Sequence, residues 1–311
     1  YIQTATSLQV SAEAGVEKLT YERQPVGNIG LGATWLPGDK GTHYLNAYFR
    51  SGDQEVMTAD AVLTQKNGRD SVEVNTTFEH FPLSLSNAFM PDQVVAFTGD
   101  IDGGLYISGA MEKPKLSGDL SLDSVSVYAR QAGARYWFDN RPLKIENNQL
   151  IFNKFAIYTT SRNPFTIDGN VDFRNMENPT AKLNLRAQNY TLLDAPRTKE
   201  SMIYGKIFVD LNATVRGPLD GLTMRGNMNL LGNTDVTYVL TDSPLTVEDR
   251  LGELVTFTSF TDTTSVQATE VPTMSLGGMD MLMSVHIDDA VRLRADLSPD
   301  RSSRVELEGG G

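Results

Sequence analysis

The chain has 311 residues, 40% of them hydrophobic, which is too apolar for a disordered chain and too dilute for a bundle of membrane helices. With 27 Lys and Arg against 39 Asp and Glu the net charge is −12, so nothing draws the chain as a whole to phosphate backbones, and nucleic acid is not expected as a partner. It contains no cysteine, which removes thiolate chemistry, disulfides and Cys-based metal sites together.

Read in chain order, apolar residues recur with period two, the spacing of a strand with one dry face. The N-terminal third shows it at Ile29, Leu31, Ala33 and Trp35, and again at Val72, Val74, Thr76 and Phe78. The next row runs Phe97, Gly99, Ile101, Gly103, Leu105, Ile107, Gly109. Leu116, Leu120 and Leu122 continue it, but Val125 and Val127 fall out of phase, so a bulge or turn is expected near Asp123 and Ser124. Alternation is lost from Tyr128 to Pro142, read as a connection between units. It returns at Phe165, Ile167, Gly169, Val171 and Phe173, with Asp168, Asn170 and Asp172 on the other face, and at Leu183 and Leu185. Asn189 to Ser201 is polar and contains proline, the signature of a loop. The longest row follows: Ile203, Gly205, Ile207, Val209, Leu211, Ala213, Val215, Gly217. Leu222, Met224, Gly226, Met228 and Leu230 make another. A short helix over 247–254 is permitted, and 258–278, rich in Ser and Thr, is expected to be the most mobile stretch. Met281, Met283, Val285 and Ile287, then Val291, Leu293, Ala295 and Leu297, close the series.

The chain therefore reads as all-β. Glycines recur on the apolar rows, which suits a strongly curved sheet with room over its concave side; the alternative is an ordinary sandwich with glycines at bulges. Two segments repeat. Gly109, Gly118, Leu120 and Leu122 share their spacing with Gly217, Gly226, Met228 and Leu230, and Pro142-Leu143 shares its pattern with Pro244-Leu245. The copies lie about a hundred residues apart, and such a unit must stack on its neighbours to bury its apolar face. Some twenty strands at about 4.8 Å each predict a rod on the order of 100 Å long.

These elements, together with Ile151-Phe152, Phe155 and the run Ile167-Asp168-Gly169 to Phe173, resemble the TamB family of translocation and assembly proteins, relatives of the AsmA-like envelope bridges. Leu231 to Asp249 resembles its Bacteroidetes branch. The resemblance is clearest over 99–257 and 279–311, and divides the chain into 1–98 (N-terminal strand repeats), 99–257 (central repeats), 258–278 (the Ser/Thr-rich loop) and 279–311 (C-terminal strands of the same sheet). It implies a periplasmic segment of an inner-membrane-anchored protein, with the anchor outside this sequence, an open β-taco groove, phospholipid as cargo, and an Omp85-family outer-membrane barrel as partner. An open groove lined by Ile, Val, Leu, Met, Phe and Gly would solvate acyl chains, each buried methylene contributing about 0.8 kcal/mol. The leucines, isoleucines, valines, phenylalanines and methionines from Phe97 to Leu297 named in the rows above, apart from the out-of-phase Val125 and Val127, are the candidate lining. Met224, Met228, Met281 and Met283 suit a surface that accepts varied chains, and equally suit core gaps.

No enzyme is expected, and no cofactor or metal. His43, His80 and His286 are far apart in sequence; His286 with Asp288 and Asp289 could touch a cation, though a solvated edge is the plainer reading. Asp100-Ile101-Asp102-Gly103 lacks the further oxygen ligands of a calcium loop. Ser71, Ser124 and Thr263 lie in Asp-Ser/Thr-apolar triplets that resemble Bacteroidetes O-glycosylation acceptors, a pattern short enough to arise by chance. Two functions of different class follow: a bridge that shields lipid acyl chains between the membranes, and a scaffold for outer-membrane protein assembly. A third, a β-helical polysaccharide enzyme or adhesin, lacks the periodic aromatic stripe it would need.

Overall fold

Alternating sequences pair where turns allow it, and the turn chemistry here is local. Asn147 and Asn148 both adopt positive φ (49° and 63°), giving the two-residue turn whose twist matches a hairpin. Gly52 (φ 63°) does the same between Ser51 and Gln54, which face each other across the ladder. The structure, a computed structural model, describes residues 9–21, 24–66, 69–90, 95–130, 132–198, 201–239, 275–276, 279–297 and 303–310.

Among the described residues, 19 strands form one sheet. The first seven make an antiparallel meander: β1 (Val10–Tyr21), β2 (Gln24–Pro37), β3 (Thr42–Ser51), β4 (Gln54–Lys66), β5 (Arg69–Pro82), β6 (Val95–Ala110) and β7 (Lys115–Ala129). Then come β8 (Ala134–Phe138), β9 (Leu143–Glu146), β10 (Gln149–Tyr158), β11 (Phe165–Asp172), β12 (Thr180–Ala195) and β13 (Ile203–Pro218). The last are β14 (Thr223–Leu230), β15 (Asp235–Val239), β16 (Ser275–Leu276), β17 (Met279–Ile287), β18 (Arg292–Asp296) and β19 (Arg304–Glu308). The expected all-β, elongated sheet is what the chain forms.

The ladder is not a simple row. β7 pairs with β9 through Gly118–Leu120 and with β8 through Ser126–Ala129. β10 likewise meets β9 at Gln149–Ile151 and β8 at Ile157–Tyr158. β13 holds β15 along Ile203–Lys206 and β14 along Val209–Arg216. From there two ribbons run side by side, β14 pairing parallel with β17 and β15 parallel with β18. Because paired short strands share one rung, the body spans about 70 Å at about 4.8 Å per rung, shorter than the rod expected from strand number alone.

Each fork lies beside a bulge. Register shifts interrupt β1 between Val16 and Leu19, β5 between Phe78 and Phe81, β10 between Phe152 and Phe155, and β12 between Ala187 and Tyr190. At each one a non-glycine residue takes the left-handed conformation: Lys18 (φ 52°), His80 (φ 49°), Lys154 (φ 48°) and Asn189 (φ 44°). The freed amide of each donates to an Asn or Asp side chain on the neighbouring strand: Lys18 to Asn28 (2.8 Å), His80 to Asp102 (2.8 Å), Lys154 to Asp168 (2.8 Å), Asn189 to Asp210 (2.6 Å). The expected bulge near Asp123 and Ser124 is present too, with Ser124 at φ 52° and one residue more on β7 than on β6 between Asp123 and Ser126. Bulges bend a strand and increase its twist, so this recurring device makes a crease.

Two stretches differ from the expectation, the second because of a bulge. The segment from Tyr128 to Pro142 holds β8 as well as connections, and Asn189 to Ala195 continues β12 instead of forming a loop. An inserted residue shifts the alternation by one, so Tyr190, Leu193 and Ala195 oppose Val209, Ile207 and Gly205 at spacings that a strict period of two does not match. The possible helix over 247–254 and most of 258–278 lie outside the described residues. Among the described residues two short 3-10 segments interrupt the strands, Asp39–Gly41 and Leu83–Phe89. In the second, the Asn87 side chain both donates to Phe97 O (2.8 Å) and accepts from Phe97 N–H (2.6 Å), standing in for a strand partner, while Phe89 meets Tyr21 (centroids 5.0 Å apart).

Candidate functional site: one apolar face along the sheet

Residues directly opposite in a ladder point to the same side. The pairing therefore tests which expected lining residues belong together. Val10, Trp35, Leu45, Ala61, Val74, Ile107 and Leu116 face each other in turn from β1 to β7. A second row runs Ala14, Leu31, Phe49, Met57, Phe78, Gly103, Leu120, Leu143. Farther on, Val171 opposes Ala181, Gly169 opposes Leu183, Ile167 opposes Leu185 and Phe165 opposes Ala187. Leu183, Leu185 and Ala187 in turn oppose Val215, Ala213 and Leu211. Met224, Met228 and Leu230 lie opposite Val215, Leu211 and Val209 on one side and Met281, Val285 and Ile287 on the other; Met283 lies opposite Gly226. Ile101 opposes Leu122, Leu105 opposes Gly118, Phe97 opposes Val127, and Leu293 opposes both Val236 and Leu307. The separate sequence rows thus join into continuous rows on one side.

Four expected lining residues sit outside the strands. Phe173 follows β11, its amide donating to Asn148 O at 2.7 Å. Leu222 precedes β14 and accepts from the Asp280 amide at 2.8 Å. Val291 is buried in the turn before β18, and Leu297 is exposed just after it. Of the modification candidates, Ser71 and Ser124 are exposed, the Ser124 hydroxyl donating to Asp123 (2.9 Å); Thr263 lies outside the described residues.

Glycine on this face is a requirement of close approach. At Gly169 (φ 130°) a Cβ would lie 2.0 Å from Lys182 O on the next strand. Flanking the crease, Phe78 and Phe81 meet edge-on (87°, centroids 5.8 Å), as do Phe152 and Phe155 (70°, 5.9 Å). In both cases the later Phe faces the Ile, and the earlier one the Gly, of an Ile-Asp-Gly triplet whose Asp caps the bulge. This Phe-x-x-Phe with Ile-Asp-Gly pairing is an internal repeat whose three-residue spacing breaks the period of two.

The face is packed unevenly. Near the fork, Ala134, Leu193, Ala195 and Val236 form a buried cluster joined by Ile203, Ile207 and Leu293. Ile207 also packs on a second cluster of Ala187, Tyr190 and Val209, with Leu211, Met228 and Leu230. Burial pushes the Tyr136 and Tyr190 hydroxyls up in pKa, so both stay protonated; Tyr136 donates to Leu192 O (2.9 Å). On the first strands, in contrast, Leu31 keeps 55% of its surface exposed, and what reaches β1 and β2 from outside the ladder is the short Leu83–Phe89 segment.

The opposite side is charged. Arg225 pairs with Asp280 (2.6 Å), and Arg294 bridges Asp235 and Glu306. Asp296, only 1% exposed, is held below the usual carboxylate range by the Arg304 guanidinium (2.7 Å) and accepts from Tyr204 (3.2 Å). His286 lies 3.8 Å from Asp288. A closer group, not anticipated from sequence, is His80, Asp102 and Asp123, whose ligand atoms lie within 4.8 Å of one another.

Compared with known protein families, the chain matches the TamB C-terminal domain over residues 153–311, just over half its length. No curated protein and no solved structure matches it.

Proposed function

This chain belongs to the TamB family, envelope proteins linked to lipid and protein transport, and we propose that its apolar face shields lipid acyl chains in passage between the inner and outer membranes. One observation carries the reading: the apolar rows continue from strand to strand, and on the early strands Val10 and Leu31 stay about half exposed. A water-exposed apolar strip of this kind is unfavourable until something covers it, and an acyl chain lying along it gains about 0.8 kcal/mol per methylene buried. The headgroup stays in water beside the strip. Such a surface is a carrier and calls for no catalytic group. The described residues include no helix long and apolar enough to cross a membrane.

The second reading, a scaffold for outer-membrane protein assembly with an Omp85-type barrel, is favoured by one feature. β19 is exposed at every residue and pairs only with β18 among the described residues, which leaves backbone groups that a foreign strand can join. Lipid extraction and native mass spectrometry of the segment purified from envelopes separate the two. Co-purifying phospholipid, lost when Leu31 and Leu105 are changed to Asp in a folded protein, supports the carrier. A lipid-free protein that captures nascent barrel strands through β19 contradicts it.

A further inference from the structure

We propose that His80, Asp102 and Asp123 bind one divalent transition-metal ion of the zinc class, tying β5 to β7 across β6 at the crease. Two bulges assemble the site. The one in β5 turns His80 into the left-handed conformation, and the one in β7 does the same to Ser124, next to Asp123. His80 Nδ1 lies 3.3 Å from Asp102 Oδ1, the separation of neighbouring ligands around a four-coordinate zinc, about 3.4 Å for bonds of about 2.1 Å. Asp123 completes a set of one nitrogen and two carboxylates within 4.8 Å, and a shift of about 1 Å in exposed side chains closes it.

The carboxylates are already oriented. Asp102 Oδ1 accepts the His80 amide (2.8 Å), and Asp123 Oδ1 accepts the Ser124 hydroxyl (2.9 Å), the kind of outer contact that fixes ligand direction. Among the described residues neither carboxylate pairs with a lysine or arginine, so two acidic side chains sit close together with the imidazole as their neighbour. Capping the bulge does not need this arrangement. The equivalent bulges at Lys18, Lys154 and Asn189 are capped by Asn28, Asp168 and Asp210, with no grouping of three metal-ligating side chains beside them. One imidazole with two carboxylates suits a borderline ion over calcium, which takes six to eight oxygens.

Those same bulges supply substitutions that keep the fold. Asn serves as a cap at position 28 and adopts the left-handed conformation at position 189, so Asp102→Asn and His80→Asn preserve the bulge. The whole chain, stripped with EDTA, is titrated calorimetrically with zinc chloride and then with calcium chloride. The expected result is one zinc per chain, at least tenfold weaker binding in His80→Asn, Asp102→Asn and Asp123→Asn, unchanged binding in His286→Ala, and a zinc-dependent rise in Tm that the three variants lose. The variants should melt like the parent without metal. Zinc binding that is unsaturable, or equal in parent and Asp123→Asn, or lost in His286→Ala instead, overturns the assignment.

Discussion

Leu31 on β2 and Leu193 on β12 belong to the same apolar side, yet the first is 55% exposed and the second is buried against Ala134, Ala195 and Val236. The difference lies in the strands around them. From β1 to β6 the strands form a simple meander, and apart from the Leu83–Phe89 segment that touches β1, β2 and β6 the neighbours of its apolar row are the adjacent strands. From β7 onward, β7, β10 and β13 each divide between two partners, and side chains of β8, β12 and β15 pack together beside these forks. The forked region holds its own core, whereas the early ladder keeps its apolar row available to another molecule. Ile207, in the middle of the longest apolar row, is partly buried and packs on both clusters.

Charge substitution should break that comparison most strongly. Leu193→Asp is expected to cost about 4 kcal/mol or more, because it buries an unpaired carboxylate, whereas Leu31→Asp should cost less than about 0.5 kcal/mol. Urea denaturation followed by circular dichroism checks both, and equal losses would mean that the two regions are packed alike.

Backbone fit gives the next effect. Gly169→Ala should cost about 2–3 kcal/mol, since the new Cβ meets the Lys182 carbonyl in addition to an unfavourable φ. Gly27→Ala has a similar φ (100°) but open space around it, so about 1 kcal/mol is expected. The ratio of the two, read from Tm, sharpens the contrast between close-packed and open parts of the face.

Acid should then loosen the C-terminal ribbon before the meander. The Asp296 carboxyl is depressed in the folded state, first by its bond to Arg304, so its contribution is complete above the unfolded value of about 3.9 and fades as pH falls through the folded value. Hydrogen exchange of β19 should accelerate below about pH 4 in the parent, and Asp296→Asn should show fast exchange already at pH 7. The exposed Arg50–Glu13 pair on the early strands should show no comparable effect. Finally, Asn28→Ala removes one cap from the crease, and a loss of about 0.5–1 kcal/mol in Tm-derived stability is expected.

Much of this architecture was legible because strand alternation is a direct imprint of having one dry face. The rows at 97–109, 165–171 and 203–217 fall in β6, β11 and β13, and the phase slip at Asp123–Ser124 is a real bulge. What stayed hidden follows from the same rule. Phe78 and Phe81 flank one bulge and Phe152 and Phe155 another, each pair in ring contact, but three residues separate the members of each pair and a search at period two scores that as disorder. The left-handed residues that build the crease are Lys, His, Ser and Asn, ordinary surface types with no glycine to betray the conformation. Exposure was beyond reach as well, because the pattern around Leu31 and that around Val209 look alike until the partners of each strand are known.

The central claim is best tested by a benzoylphenylalanine cross-linker placed at Leu31 on the apolar side and, separately, at Tyr106 on the polar side, where Asn75 and Ser117 are its ladder neighbours. The two sites are 55% and 43% exposed, so reach into solvent does not distinguish them. Irradiation in intact cells should attach phospholipid at position 31 and none at position 106. Lipid attached equally at both positions, or at 106 alone, would contradict the account.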